Sequence, residues 1–161
     1  MMLLSDANVL IDLGYVQGLS LLPRLGTTRV LSTVYLECEH PRQPTLSAEI
    51  VRVGIEVVEV ERALLDEAQA YPNEGLSLRD RQSLLYARDQ GHMLLTGDAP
   101  LRSAADSEGV PCHGTVWLVE QAISGRFFSN DEICRWLSEW PMRSRRIPKA
   151  HLQRLRQQLG C

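Results

Sequence analysis

No stretch of this chain reaches the roughly 18 unbroken apolar residues that a membrane-spanning helix needs. There is no C-x-x-C pair either: Cys38, Cys112, Cys134 and Cys161 are scattered at irregular spacing, which argues against a paired-ligand zinc site. Cys112 stands beside His113, but two adjacent ligands without a second pair make a poor metal centre. The opening "MMLL" is too short for a signal peptide and has no basic flank or cleavage site. These features together predict a cytoplasmic protein whose cysteines are free thiols. Internal repeats and low-complexity runs are also missing. Acids are absent from residues 141–161, which carry six basic side chains: Arg143, Arg145, Arg146, Lys149, Arg154 and Arg156. Of 17 basic residues that leaves 11 in the first 140, against 20 acids, a balance of −9. An acidic body is unlike a general nucleic-acid binder. A concentrated acidic site served by a basic tail, or a tail that is simply solvated, both fit this asymmetry.

What is present is ordinary globular material. The 161 residues are 44% hydrophobic and 23% charged, enough for one domain with a real core. "MLLS" reads as a buried strand that ends at Asp6. "NVLIDLGYVQGLSLLPRL" has apolar residues at helical spacing, with Gly18 near its end. "RVLS" is a second strand, "TVYLECEH" a helix that stops before Pro41, and "SAEIVRV" a short helix. "GIEVVEVE" reads as a strand and "RALLDEAQAY" as a helix ending at Pro72. "SLRDRQSLLYARDQG" is the clearest helix, capped by Ser77 with Asp80 three places later. "HMLLTGD" is a strand followed by a helix from about Pro100 to Ser107, and "GVPCHG" is a last short strand. "TVWLVEQAISG" and "SNDEICRWLSEW" are helices closed by Gly125 and Pro141, and "KAHLQRLRQQL" is a final amphipathic helix. Strands alternating with helices predict an α/β fold with a doubly wound, mostly parallel sheet.

Ligands in such sheets bind beyond the carboxyl ends of the strands. Asp6 and Asp98 both fall there, Glu37 lies about one turn into the helix after "RVLS", and Asp80 is in the first turn of its helix. One reading is four separate helix starts, since a helix N-terminus favours negative charge. The other is convergence: parallel strands are about 5 Å apart, and clustered carboxylates cannot all ionise without a counter-charge. A hard divalent cation, Mg²⁺ or Mn²⁺, supplies one with all-oxygen ligation and suits phosphodiester cleavage.

Taken in order, "LLSDANVLIDL", "LSTVYLECE", "LSLRDRQSLLYAR" and "MLLTGDAPLRSAA" resemble the successive motifs of the PIN domain, and "GVPCHGTVWLVEQAISG" resembles its C-terminal G-T helix. The resemblance covers about residues 2–126 and implies an α/β/α sandwich acting as a metal-dependent ribonuclease. It implies that Asp6, Glu37, Asp80 and Asp98 are the catalytic metal ligands, with Asn8 orienting Asp6 and Thr96 supporting Asp98. It further implies RNA as substrate, Mg²⁺ or Mn²⁺ as cofactor, a homodimer, and an antitoxin protein as partner if the chain is the toxin of a type II pair. Arg81 stands where a small residue is more usual, and no further acid follows Asp98 closely. The expected organisation is a nuclease domain over residues 1–128 and a helical extension with the basic tail over 129–161, packed on the same domain.

Two other functions compete. A non-catalytic RNA- or protein-binding module would use the basic tail and the stripe Leu152, Leu155 and Leu159. A phosphatase with Asp6 as nucleophile would want an acid two residues on, where Asn8 stands. Asp12, six residues after Asp6, and Glu39 read as helix surface. Arg81 and Arg102 read as partners of nearby carboxylates before phosphate ligands. Ser32 reads as a cap for the next helix. His113 reads as structural, and Trp117, Trp136 and Trp140 as packing residues.

Overall fold

The computed structural model describes every residue from Met1 to Cys161. Five parallel strands form one sheet: β1 (Met2–Ser5), β2 (Thr27–Leu31), β3 (Glu56–Val58), β4 (Met93–Leu95) and β5 (Cys112–His113), in the order β3-β2-β1-β4-β5. The helices are α1 (Ala7–Tyr15), α2 (Leu21–Leu25), α3 (Ser32–Tyr35), α4 (Leu46–Arg52), α5 (Arg62–Ala70), α6 (Leu78–Gln90), α7 (Ala99–Ser107), α8 (Thr115–Ser124), α9 (Asn130–Met142) and α10 (Lys149–Leu159), with a 3₁₀ turn at Leu36–Cys38. Adjacent strand residues point to opposite faces of a sheet. Leu3 and Leu4, Val30 and Leu31, and Leu94 and Leu95 are all buried, so both faces are covered, as an all-parallel sheet requires. The α/β/α sandwich is therefore present, with a sheet that is parallel throughout.

The chain builds outward from β1 to β2 and β3, then crosses back to β4 and β5. The loops leaving β1 and β4 consequently diverge, which makes the carboxyl edge between them the topological switch point of the sheet. Ser5 pairs with Leu95, and the Asp6 amide donates to the Leu95 carbonyl at 2.9 Å. The two strands thus end level, with Asp6 and Thr96 next on their chains.

Several elements depart from the sequence expectation. The segment after Asp6 is two helices, not one. The chain breaks where Gln17 takes φ 58° and Gly18 passes Trp136, whose ring would lie 3.1 Å from a Cβ at that glycine. The helix carrying Glu37 is only one α turn followed by the 3₁₀ turn. Ser32 caps nothing; its Oγ accepts from the Val60 amide at 3.2 Å. Pro141 does not close α9 but lies inside it. A helical proline cannot donate to the carbonyl four residues back, here that of Leu137, and Arg156 Nη2 from α10 supplies a donor at 3.4 Å.

The C-terminal helices belong to the same core as the sheet, which includes Trp136, Trp140, Leu155 and Leu159. The leucine stripe of α10 docks on this body. The thiol expectation fails for one pair: Cys134 and Cys161 form a disulfide with Cα atoms 6.2 Å apart, while Cys38 and Cys112 are free. The packing of α10 on α9 joins residues 27 apart, a separation that carries no motif. No helix is long and apolar enough to cross a membrane.

Helix α9 starts with a reciprocal cap. The Glu132 amide donates to Ser129 Oγ at 3.2 Å, and the Ser129 amide donates to Glu132 Oε2 at 2.8 Å. Replacing Ser129 by Ala should cost about 1 kcal/mol, read as a lower urea midpoint with unchanged m-value. An unchanged midpoint would mean that the cap contributes nothing to holding α9 on the body.

Candidate active site

Asp6 is the N-cap of α1, and its Oδ1 accepts from the Val9 amide at 2.8 Å. Asp98 is the N-cap of α7, and its Oδ2 accepts from the Leu101 amide at 3.0 Å. Asp80 lies in the first turn of α6, where its amide donates to Ser77 Oγ at 3.1 Å. Local helix chemistry therefore accounts for why acids stand at these three starts. It does not account for their placement relative to one another. The charge on Asp80 pushes up the pKa of Asp6, and those on Asp98 and Glu37 push up Asp80. Asp80 thus lies within electrostatic reach of each of the other three acids.

Asp6 is the extreme member. It is only 6% exposed, and burial, reinforced by Asp80 and Asp12, raises its pKa to about 7 against the bonds from Thr96 and the Val9 amide. Burial is also the main cause of the rise at half-buried Asp80. Glu37 is exposed and bound by Arg79 Nη1 at 2.7 Å. Cys38, beside it, is pushed up to about 12, first by burial and then by Glu37 and Asp6.

The supporting residues behave differently from each other. Thr96 is buried beside both outer acids: its Oγ1 accepts the Asp98 amide at 3.1 Å, and its hydroxyl favours the ionised form of Asp6. Asn8 does not orient Asp6. It points outward, and its Oδ1 accepts from Arg145 Nη2 at 3.2 Å. A side chain two residues into α1 is rotated far from the one at its cap, so the arginine of the C-terminal tail reaches it instead.

Asp12 was not legible as a site-lining residue. It is not helix surface: Arg145 Nε pairs with its Oδ1, and Thr115 Oγ1 donates to its Oδ2 at 3.2 Å. Burial raises its pKa while Arg145 opposes the rise. The only sequence signals were the acid-free tail and the family's G-T pair. Arg145 is therefore not part of a solvated face. The two arginines near the mapped acids also take no carboxylate. Arg81 Nε donates to the Asn73 carbonyl at 3.0 Å, and Arg102 makes no ion pair.

No group of three or more His, Cys, Asp or Glu side chains is gathered tightly enough to hold a metal ion as the side chains stand. The donor set itself, carboxylates whose charges raise one another's pKa, has the chemistry of a hard-cation site. Glu37 joins this set with one oxygen, Oε1, already bound by Arg79.

The DUF3368 family model, described as a PIN domain, matches residues 2–161. The chain belongs to this PIN-domain family. PIN domains commonly are nucleases, and the match extends through α9 and α10, beyond the motifs legible in the sequence. No curated protein matches the chain. Among solved structures the PIN domain is similar to a PilT N-terminus domain protein, SSO1118, from the hyperthermophilic archaeon Sulfolobus solfataricus P2. That match has 13% identity and a TM-score of 0.57, covering 76% of this chain and 93% of that one. It is also similar to PAE2754 from Pyrobaculum aerophilum at 22% identity and a TM-score of 0.56, covering 76% of this chain and 99% of that one. Both likenesses concern the fold.

Proposed function

We propose that this PIN domain is a divalent-metal-dependent endoribonuclease that hydrolyses RNA phosphodiester bonds through Asp6, Glu37, Asp80 and Asp98. The observation that carries the reading is the buried Asp6 carboxylate, raised to about 7 and sharing its field with Asp80, at the switch-point edge of the sheet. Mg²⁺ or Mn²⁺, held by these acids, would supply the missing positive charge and polarise water and phosphate for hydrolysis. The chain's own groups do the rest. Asp6 holds or releases a proton near neutrality, Thr96 fixes the turn that presents Asp98, and the caps at Val9 and Leu101 hold both carboxylates at the sheet edge. Arg79 holds Glu37 until a cation competes for it. As in type II toxin–antitoxin pairs, the proposed setting is a homodimer silenced by an antitoxin protein in the cytoplasm.

The test is cleavage of a labelled structured RNA pool with Mg²⁺, Mn²⁺ or EDTA. Cutting with either ion, abolished by EDTA, is the expected result. Cutting that survives EDTA would remove the metal from the reading, and no cutting at any ion concentration would remove the enzyme.

The absence of a ready-made ligand group and the Arg79–Glu37 pair favour a second reading, a non-catalytic RNA- or protein-binding module. It predicts RNA retention without cleavage and no metal heat in calorimetry. Deleting residues 141–161 cannot decide between the two, because Leu155 and Leu159 are core residues.

A further inference from the structure

Beside the acidic cluster lies a concavity of about 680 Å³, within the range of small-molecule sites. Gly97, the neighbour of Asp98, forms part of its wall. Its two lining acids are already neutralised: Asp12 by Arg145, and Glu120 by Arg154 at 2.7 Å. Its two lining arginines, Arg102 and Arg146, are exposed and have no hydrogen-bond or ion-pair partner in the protein. The wall is therefore positive. It also carries an aromatic platform, since the His113 and Trp117 rings stack with centroids 4.4 Å apart and 7° between planes. His113 has a lowered pKa, from burial first and from Arg102 next. The ring therefore stays neutral at pH 7 and adds area to the stack without adding charge.

Unpaired guanidinium groups beside a flat aromatic face are the recognition chemistry of single-stranded nucleic acid: charge for the backbone, stacking for any base. We infer that this cavity is a nucleotide subsite, in which Arg102 and Arg146 bind backbone phosphate and Trp117 with His113 stacks a base of single-stranded RNA. The inference rests on the ribonuclease reading and deepens it: an unpaired strand seated here runs past Gly97 onto Asp98. The tail contributes through Arg146, which Arg145 holds in place by gripping Asp12 and Asn8.

The experiment is fluorescence anisotropy of a labelled single-stranded oligouridine of about eight nucleotides, in EDTA, across a salt series. Each lost phosphate contact should lower the log–log salt slope by about 0.7. The double variant Arg102→Gln/Arg146→Gln should bind about tenfold more weakly with a slope smaller by about 1.4. Trp117→Ala should bind about tenfold more weakly at unchanged slope. The pair Arg102→Lys/Arg146→Lys, which keeps the charge, should retain the slope. All are compared at equal melting temperature.

Wild-type affinity and slope in the folded glutamine variant would overturn the subsite, as would no binding by the wild type. If the protein cuts RNA but these variants bind like the wild type, the subsite fails and the nuclease reading stands. If the variants lose binding but the wild type never cuts with Mg²⁺ or Mn²⁺, the subsite stands and the nuclease reading fails.

Discussion

Asp6→Asn is expected to lower metal-dependent RNA cleavage by about 10³-fold or more while making the metal-free protein more stable at pH 8. The activity loss follows from removing the most buried carboxylate of the acidic cluster, which shares its field with Asp80, at the scale of an essential acid–base group. The gain in stability follows from linkage. The folded-state pKa of Asp6 is about 7, against 3.8 without the fold. Between about pH 4 and pH 7 the folded state therefore holds a proton that the unfolded chain has lost, and stability falls as pH rises through that window. Above pH 7 the full penalty is in place. At about 1.4 kcal/mol per unit it is of order 4 kcal/mol. Asn carries no such penalty and keeps the acceptor for the Val9 amide, since Asn and Asp are comparable N-caps.

Melting the wild type and the variant in EDTA at pH 4 and pH 8 checks this. The variant should gain several degrees at pH 8 and little at pH 4. Added Mg²⁺ should raise the melting temperature of the wild type alone. A variant that melts lower than the wild type at pH 8 would show that Asp6 is a structural cap and not a strained functional carboxylate.

Trp140→Ala should cost about 3–5 kcal/mol, a large part of the stability of an ordinary domain. The ring is fully buried and packs against Trp136 at 6.1 Å between centroids. Its Nε1 also donates to the Asp12 carbonyl at 2.8 Å. That carbonyl lies in the last turn of α1, where helix carbonyls lack internal partners. Trp140 thus caps the far end of the helix whose first residue follows Asp6. Trp140→Phe separates the two effects: it keeps most of the apolar contact and loses only the bond, so it should cost about 1–2 kcal/mol. Equal losses for Ala and Phe in urea denaturation would mean that the hydrogen bond dominates and the packing contributes little.

The positions of the acids were legible because the reasons for them are partly local. Asp6 and Asp98 cap helix starts with their carboxylates and Asp80 stands in the first turn of a helix capped by Ser77, and such starts follow from short runs of residues such as "LLS" and "LLTG". Asn8, Asp12 and Ser32 were misread because their partners are Arg145, Arg145 with Thr115, and the Val60 amide, 28 or more residues away. Pro141 was misread because its missing donor is replaced from α10. The Cys134–Cys161 bond was missed for the same reason.

By itself, then, the sequence determined the alternation of strands and helices, the burial of the strands and the placing of acids at their carboxyl ends. These depend on propensity, periodicity and caps, which act within a few residues. Only the tertiary structure decided the order β3-β2-β1-β4-β5, and with it that Asp6 and Asp98 follow adjacent strands at one edge of the sheet. The same holds for the tail, which neutralises Asp12 and presents Arg146 beside Trp117. Contacts such as that of Asp12 with Arg145 join residues more than 100 positions apart. They are selected by the packing of whole helices, which no local pattern encodes.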